Sequence, residues 1–296
     1  MAILADSAKR VFVQGITGRE GSVRTKYMLE YGTKVVAGSS PGRGGGSVHG
    51  LPVFDTVADA VGSIGPIDIS VIFVPGPQAK GAALEAIDAG VPLTAVIADR
   101  VPLYDVLDLH CAAKRKGVLF LGPNTAGLIS PGQAVIGMIG GSVAATRSWL
   151  HSGPVGLASR SGGMGVSAAY YISQAGVGIS SLVHVGGDAI IGMGLHEVAR
   201  KFADDDDTKV IVLIGEIGTS QEEQVAELMH DGQIKKPVVA FIGGRAAQPG
   251  MRYSHAGAIV EGKRGNYATK HDCLVSAGAL VAEEFIHIPH LVRRCL

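Results

Sequence analysis

The sequence predicts an α/β protein built from two domains, each with a mostly parallel sheet. Short apolar runs alternate with longer amphipathic stretches through both halves of the chain. Most of these runs are apolar throughout rather than at every second position, which is typical of strands covered by helices on both faces. A segment rich in Gly, Pro, Ser and Asn, at residues 122–141, separates the two halves. We therefore expect two domains joined by an irregular connection.

The first domain is expected to span residues 1–125 and to alternate strands with helices. Its first strand is Val11–Gln14, a β-branched run that ends at a glycine. Later strands are predicted at residues 34–37, 69–74, 93–97 and 118–121. The stretches between them have helical spacing and cover residues 22–31, 57–61, 78–89 and 103–116.

The second domain is expected to span residues 154–296, after a linker at residues 126–153. Four consecutive aspartates at residues 204–207 indicate a solvated surface turn. Strands are predicted at residues 155–158, 181–185, 210–214 and 238–242. Helices are predicted at residues 165–174, 195–202 and 221–230.

The composition excludes several classes of protein. Hydrophobic residues make up 47% of the chain and charged residues 18%, which is not the composition of a disordered protein. The 43 glycines follow no three-residue period, so the chain is not collagen-like. The 26 Lys and Arg balance the 26 Asp and Glu, so no overall positive field attracts nucleic acid.

We also expect neither a membrane nor a metal partner. No run reaches the roughly 18 apolar residues of a membrane helix, and the first residues lack the pattern of a secretory signal. Cys111, Cys273 and Cys295 are too few and too far apart for a disulfide framework or a zinc site. A reducing, cytoplasmic location is the expectation.

A glycine-rich turn, Gly15-Ile16-Thr17-Gly18-Arg19-Glu20-Gly21, follows the first strand and opens a helix. Backbone N–H groups at such a turn can hold a phosphate. The glycine spacing is not that of dinucleotide-binding folds, and the second strand does not end in the acid that binds a ribose. Arg43 follows it instead, which favours a phosphorylated nucleotide such as coenzyme A (CoA). A tight turn without a ligand remains the alternative.

Three features of the second half are candidate site residues. Ser159-Arg160-Ser161-Gly162-Gly163 lies between a strand and a helix and could hold an anion, although capping by Ser161 alone would explain it equally well. Glu216 follows a strand at the end where α/β sheets bind ligands, or it is an exposed loop acid. His255 stands among small residues in a glycine-rich segment, but most single histidines lie on the surface or in a satisfied core.

Two chemistries fit Ser161, Glu216 and His255. In a serine hydrolase the chain order can be Ser, acid, His. In phosphoryl transfer, His255 is the nucleophile, Glu216 orients the imidazole and the helix end at Ser161 holds the phosphate. Only the second chemistry explains another phosphate site in the first domain.

Seven segments, in order and in register from about residue 11 to about residue 278, resemble one family. It comprises the α subunits of ADP-forming succinate–CoA ligases, with relatives that include malate–CoA ligase, citryl-CoA synthetase and the matching part of ATP-citrate lyase. The segments are Gly15-Ile16-Thr17-Gly18, Pro41-Gly42-Arg43-Gly44-Gly45, Gly122-Pro123-Asn124, Ser159-Arg160-Ser161-Gly162, Gly186-Gly187-Asp188, Ile214-Gly215-Glu216-Ile217-Gly218 and His255-Ala256-Gly257-Ala258-Ile259.

The resemblance implies a Rossmann-like CoA-binding domain followed by a flavodoxin-like ligase domain. His255 matches the histidine that the family phosphorylates, and Glu216 matches the glutamate that steadies it. Ser161 and Gly162, with Gly163 beside them, match the helix N-terminus that receives the phosphate. The implied CoA contacts are Thr17, Gly18, Arg19, Glu20, Arg43 in place of the usual lysine, Ile97, Ala98 and Asp99.

The resemblance also implies a partner and a mechanism. ATP or GTP, bound with Mg²⁺ on an ATP-grasp β subunit in an αβ or α2β2 assembly, phosphorylates His255. The phosphate passes to a carboxylic acid, and the CoA thiol then displaces it. This chain has neither a Walker lysine motif nor an ATP-grasp half.

Departures from the family concern the acid. Gly163-Met164-Gly165-Val166-Ser167 stands where succinate enzymes usually have Thr-Leu-Thr-Tyr-Glu, so Gly163 and Val166 are the expected acid contacts. Val166, Ile191 and Met193 together predict a more apolar pocket than a dicarboxylate needs. Ser254 replaces the glycine that usually precedes the histidine. A serine hydrolase and a non-catalytic CoA-binding protein remain the alternatives.

Overall fold

The first half of the chain folds around a parallel sheet. The structure is a computed structural model and describes residues 2–247, 255, 257–258 and 265–296. The strands of the first sheet are β1 (Val11–Gln14), β2 (Val35–Ser39), β3 (Ser47–Val48), β4 (Leu51–Phe54), β5 (Ile69–Ile72), β6 (Leu93–Val96) and β7 (Leu119–Leu121). Its helices are α1 (Arg19–Tyr31), α2 (Val57–Ile64), α3 (Gly76–Asp88) and α4 (Leu103–Lys116).

The order of these strands is β3-β4-β2-β1-β5-β6-β7, and all neighbours are parallel except β3 and β4. Without the short β3, this is the Rossmann order, with β1 in the middle of the sheet. The strands up to β4 extend the sheet on one side of β1, and the strands from β5 onwards extend it on the other side. The β3–β4 hairpin was not predicted, because its strands are short and Pro52 interrupts the apolar run.

The second half forms another sheet and a second set of helices. Its strands are β8 (Gly127–Ser130), β9 (Ala134–Gly137), β10 (Ser152–Ser159), β11 (Ile179–His184), β12 (Val210–Glu216), β13 (Val238–Gly243) and β14 (Leu280–Val281). Its helices are α5 (Val143–Trp149), α6 (Gly162–Gln174), α7 (Leu195–Asp204), α8 (Gln221–His230), α9 (Tyr267–Ser276) and α10 (Ile288–Cys295), with a 3-10 turn at Phe285–His287.

This second sheet has the order β14-β13-β12-β10-β11-β8-β9. Its five strands from β14 to β11 are parallel and have the flavodoxin-like order, in which β10 and β12 are neighbours at the switch point. The predicted α/β class and both domain types are confirmed. The predicted surface turn at residues 204–207 is confirmed only in part. Asp204 is the last residue of α7, Asp205 is buried, and only Asp206 and Asp207 form an exposed turn.

Residues 126–153 are not a simple linker. They contain β8, β9 and α5, and β8 pairs antiparallel with β11, so both strands extend the second sheet. Their small size and their glycines hid the strand pattern, since Gly127 and Gly137 lie directly opposite each other in the hairpin. The domain limits at residues 125 and 154 stay a proposal.

One continuous core joins the two sheets, with side chains such as Val13 and Val71 from the first and Leu128 and Val183 from the second. Polar groups at the junction are paired. The Tyr27 hydroxyl on α1 donates to the Ile139 carbonyl oxygen at 3.0 Å, and burial raises the pKa of Tyr27. A buried polar group costs free energy unless it is hydrogen-bonded, so this contact helps to fix the position of one half against the other.

A buried ion cluster ties α9 to the loop after β12. The Lys270 ammonium, fully buried, donates to carboxylate oxygens of Glu222 and, at 2.8 Å, of Glu223, and to the Thr219 carbonyl oxygen at 3.1 Å. Glu222 in turn accepts from the backbone N–H of Glu216 at 2.9 Å. The cluster therefore holds the end of β12 in place. The structure contains no helix that is long and apolar enough to cross a membrane, as far as the described residues go.

Replacing Lys270 by Ala should destabilise the protein by about 3–5 kcal/mol, because it leaves buried carboxylates without a counter-charge. Lys235→Ala, at an exposed position, is the matched control and should change stability by less than about 0.5 kcal/mol. Urea unfolding of both variants measures the difference. Equal stabilities would show that the cluster is not needed.

Candidate functional site

His255 and Glu216 form a close pair at the carboxyl end of the second sheet. The imidazole Nδ1 lies 2.6 Å from Glu216 Oε2, and the two side chains are 24% and 13% exposed. Glu216 is the last residue of β12, so its carboxylate extends beyond the edge of the sheet. The sequence predicted both residues as site residues, and the fold brings them together.

Arg160 holds the other oxygen of that carboxylate, a contact that the sequence analysis missed. Its Nε and Nη2 both lie 3.1 Å from Glu216 Oε1, and Nη2 also donates to the carbonyl oxygens of Gly187 and Asp188 at 3.4 and 3.2 Å. The side chain is fully buried. The available signal was its place next to Ser161, at the switch point between β10 and β12.

The N-terminus of α6 lies at the same site. Ser161 is its N-cap, with Oγ accepting from the Met164 N–H at 3.4 Å, and Gly162 and Gly163 are the first two helical residues. The positive end of the helix is therefore available to an anion. Since the Ser161 hydroxyl caps α6, and no hydrogen bond joins it to His255 among the described residues, the geometry does not favour a serine hydrolase.

A cavity of about 370 Å³ opens beside the pair. Its polar lining residues are Ser161, Glu216 and His255, and its apolar wall is formed by Met164, Ile217, Ala246, Ala247 and Ala258.

The apolar side chains that we expected in this wall lie elsewhere. Ile191 and Met193 are buried in the common core, because the backbone N–H of Met193 donates to the Phe120 carbonyl oxygen at 2.8 Å and holds the loop against the first domain. That expectation is wrong for these two residues. Val166 packs against the same core, and Gly163 is exposed at the start of α6. Their contact with an acid stays a prediction.

The loop after β11 lies directly against the His255 ring. A Cβ built on Gly187 would come within 2.9 Å of His255 Cδ2, so this position has room only for glycine while the ring is there. The Gly257 N–H donates to the Gly187 carbonyl oxygen at 3.3 Å. Ser254, Ala256 and Ile259, which belong to the predicted motif, lie outside the described residues.

The hydrogen bond to Glu216 raises the pKa of His255 above its usual value, and it outweighs the opposing effect of burial. A carboxylate can only accept, so Nδ1 carries the proton in the pair. In the neutral ring, Nε2 then carries no proton, and its lone pair is free.

The predicted CoA residues gather at the carboxyl edge of the first sheet. Thr17 and Gly18 lie in the turn between β1 and α1, where Gly18 is an N-cap without a side-chain cap bond, and Arg19 and Glu20 are the first two residues of α1. The turn is tight: Gly15 has φ +80°, and a Cβ on Gly21 would lie 2.2 Å from the Gly15 carbonyl oxygen. Helix N–H groups are thus left for a ligand.

The other predicted contacts follow neighbouring strands at this edge. Arg43 lies exposed in the turn after β2. Ile97, Ala98 and Asp99 follow β6, where Ile97 is buried and Asp99 faces solvent beside Arg100 at 3.4 Å. The fold places these segments at one edge, and their contact with a ligand stays a prediction.

Comparison with known proteins gives matches in both halves. Residues 6–99 match the family described as CoA binding domain, and residues 158–280 match the family described as CoA-ligase. The chain is 44% identical over 296 residues to succinate–CoA ligase (ADP-forming) subunit alpha 1 of Archaeoglobus fulgidus, covering 100% of this chain and 99% of that one. It is 38% identical to an ADP-forming sulfoacetate–CoA ligase subunit of Bilophila wadsworthia, with full coverage of both.

Among solved structures, the chain is similar to ATP citrate lyase from Methanothrix soehngenii in complex with citrate and coenzyme A. The TM-score is 0.90 and the identity is 26%, over 99% of this chain and 50% of that one. The chain thus spans half the length of the citrate lyase chain, whereas it spans nearly the full length of the succinate–CoA ligase subunit. These matches confirm the family that the sequence motifs predicted: the chain belongs to the α subunits of ADP-forming acid–CoA ligases, the family that includes the succinate–CoA ligases.

Proposed function

We propose that this chain is the α subunit of an ADP-forming ligase that joins a carboxylic acid to CoA through a phosphorylated His255. The observation that carries the proposal is the His255–Glu216 pair, at 2.6 Å, in one cavity with the N-terminus of α6. Glu216 accepts the Nδ1 proton and leaves Nε2 as the nucleophile. Arg160 keeps the carboxylate oriented for this task.

These positions support the following reaction. Nε2 attacks the terminal phosphorus of the nucleotide, and the bond from that phosphorus to the leaving diphosphate oxygen breaks. The phosphoryl group on His255 carries negative charge, which the N–H groups of Gly162 and Gly163 and the hydroxyl of Ser161 stabilise at the positive end of α6. An oxygen of the acid's carboxylate then attacks that phosphorus, and the bond from phosphorus to Nε2 breaks, which regenerates the neutral His255. The CoA sulfur, having lost its proton to solvent, attacks the carbonyl carbon of the acyl phosphate, and the bond from that carbon to the phosphate oxygen breaks.

The nucleotide comes from a partner. We propose an ATP-grasp β subunit that brings ATP or GTP with Mg²⁺ to His255, in an αβ or α2β2 assembly. Support comes from the relatives, which are themselves named as subunits, and from the absence of a Walker lysine motif in the sequence. A cytoplasmic location agrees with the three free cysteines.

The acid is a carboxylic acid whose identity the relatives leave open, since they act on succinate or sulfoacetate. The apolar wall of the cavity, with Met164 and Ile217, supports an acid that has an apolar part as well as its carboxylate. A non-catalytic CoA-binding protein is not favoured, because it would not need the His255–Glu216 pair.

Phosphorylation of His255 is tested by mixing the protein with its β subunit and ATP labelled on the terminal phosphate. The wild type should acquire an acid-labile protein phosphate, and His255→Asn should acquire none. His151→Asn, at an exposed histidine, is the matched control and should label normally. Label that persists in His255→Asn would refute the proposal. Labelling of Ser161 by a fluorophosphonate would instead support a hydrolase.

The pH dependence of phosphorylation tests the role of Glu216. Only the neutral ring is nucleophilic, so the rate should rise as the pH rises through the pKa of His255, which Glu216 holds above about 6.5. Glu216→Gln removes the charge, so the midpoint should move to lower pH while the plateau rate falls about 10–100-fold. Single-turnover labelling between pH 5 and 9 measures both quantities, with the exposed Glu284→Gln as control. An unchanged midpoint contradicts this role.

CoA binding is tested at Arg43. Arg43→Ser should raise the dissociation constant of CoA about tenfold and weaken its dependence on salt, because one contact between a cation and a phosphate is lost. The control is Arg115→Ser at the exposed end of α4, which should bind CoA as the wild type does. Calorimetric titration of CoA at two salt concentrations measures both effects. Equal affinities of the two variants would remove Arg43 from the site.

A further inference from the structure

His184, the last residue of β11, is buried with both of its ring nitrogens hydrogen-bonded. Nδ1 lies 2.7 Å from the backbone nitrogen of Ala126, and Nε2 lies 3.0 Å from the carbonyl oxygen of Arg160. An amide nitrogen can only donate and a carbonyl can only accept. The ring is therefore neutral, with its proton on Nε2.

Burial is the main reason why the pKa of His184 is lowered to about 4. The hydrogen bond to the Arg160 carbonyl oxygen and the charge of Glu216 oppose this shift, whereas the charges of His255 and Arg160 add to it. The ring thus keeps its acceptor nitrogen at any pH near neutrality. It adds no positive charge below the phosphate site.

The carbonyl that His184 holds belongs to the residue just before the N-cap of α6. Arg160 is fixed at three points: its N–H donates to the Ile214 carbonyl oxygen at 2.9 Å, its carbonyl accepts from His184, and its guanidinium holds Glu216. A Cβ on Gly162 would lie 3.1 Å from His184 Nδ1, so the ring also packs against the first helical residue. The position of the helix end therefore depends on this ring.

The other side of the ring connects to the first domain. Ala126 lies two residues after Asn124, whose N–H donates to the carbonyl oxygen of Ala98 at 2.7 Å. Ala98 belongs to the segment that is predicted to contact CoA. The Thr125 hydroxyl donates to the carbonyl oxygen of His184 itself. A chain of backbone and side-chain contacts thus runs from the edge of the first sheet to the turn at Arg160.

We propose that His184 is a positioning residue: through its bond to the Arg160 carbonyl oxygen, it sets the N-terminus of α6 at the place where the phosphoryl group of His255 is received. This inference rests on the proposed function. Hydrogen bonds that orient groups in contact with a reacting centre change rates through geometry rather than through chemistry of their own.

Two substitutions separate the two bonds. Gln can place its amide nitrogen near Nε2 and keep the bond to Arg160, whereas Asn can place its oxygen near Nδ1 and keep the bond to Ala126. We expect His184→Gln to phosphorylate His255 at close to the wild-type rate. His184→Asn should be slower by at least about tenfold at saturating ATP and β subunit, with an unchanged KM for ATP.

Thermal unfolding of both variants provides the control, because each loses one hydrogen bond and should lose similar stability. A residue with only a structural role would slow both variants alike. Equal labelling rates of His184→Gln and His184→Asn, or a wild-type rate in His184→Asn, therefore overturn the inference.

A second variant keeps the test decisive if His184→Asn does not fold. Gly162→Ala retains the ring but crowds it, so it should also slow phosphorylation, and a wild-type rate contradicts the inference. Failure of the proposed function would look different, because the wild-type protein itself would then carry no label that depends on His255.

Discussion

The carboxylate of Glu216 is the group on which the candidate site depends. One oxygen accepts from the buried Arg160 and the other accepts from His255, so a single side chain sets both the orientation and the proton position of the imidazole. Its own backbone is held by Glu222, which is neutralised by Lys270. Buried and half-buried charges of this kind are stable only when each charged group has a partner. This explains why three separate elements converge here.

The topology explains how distant parts of the chain reach this point. In an open α/β sheet the carboxyl ends of neighbouring parallel strands leave a crevice at the switch point. Here β10 leads into the turn at Arg160 and β12 ends at Glu216, and these strands are adjacent. The first sheet repeats this arrangement around β1, so each half presents one crevice, and the common core fixes the two crevices relative to each other.

Much of this was predictable from the sequence, for physical reasons. Buried parallel strands are apolar along their length and amphipathic helices have apolar residues at helical spacing, so β1 and α4 were predicted with the bounds that the structure has. The ordered motifs predicted His255, Glu216 and Ser161 as site residues. Arg160 and His184 were missed because their importance comes from contacts across the fold, which periodicity does not encode. The β8–β9 hairpin was missed because glycines replace the apolar side chains at its ends. Ile191 and Met193 were misplaced because tertiary packing, rather than proximity to a motif, decides which way a loop side chain faces.

The hairpin formed by β8 and β9 has a consequence for how this polypeptide can be divided. Because it covers the outer side of β11, a chain cut just before residue 154 would leave that strand as a bare edge, with unpaired backbone groups able to recruit strands from other molecules. The ligase half is thus a complete folding unit only when it begins well upstream of its first parallel strand.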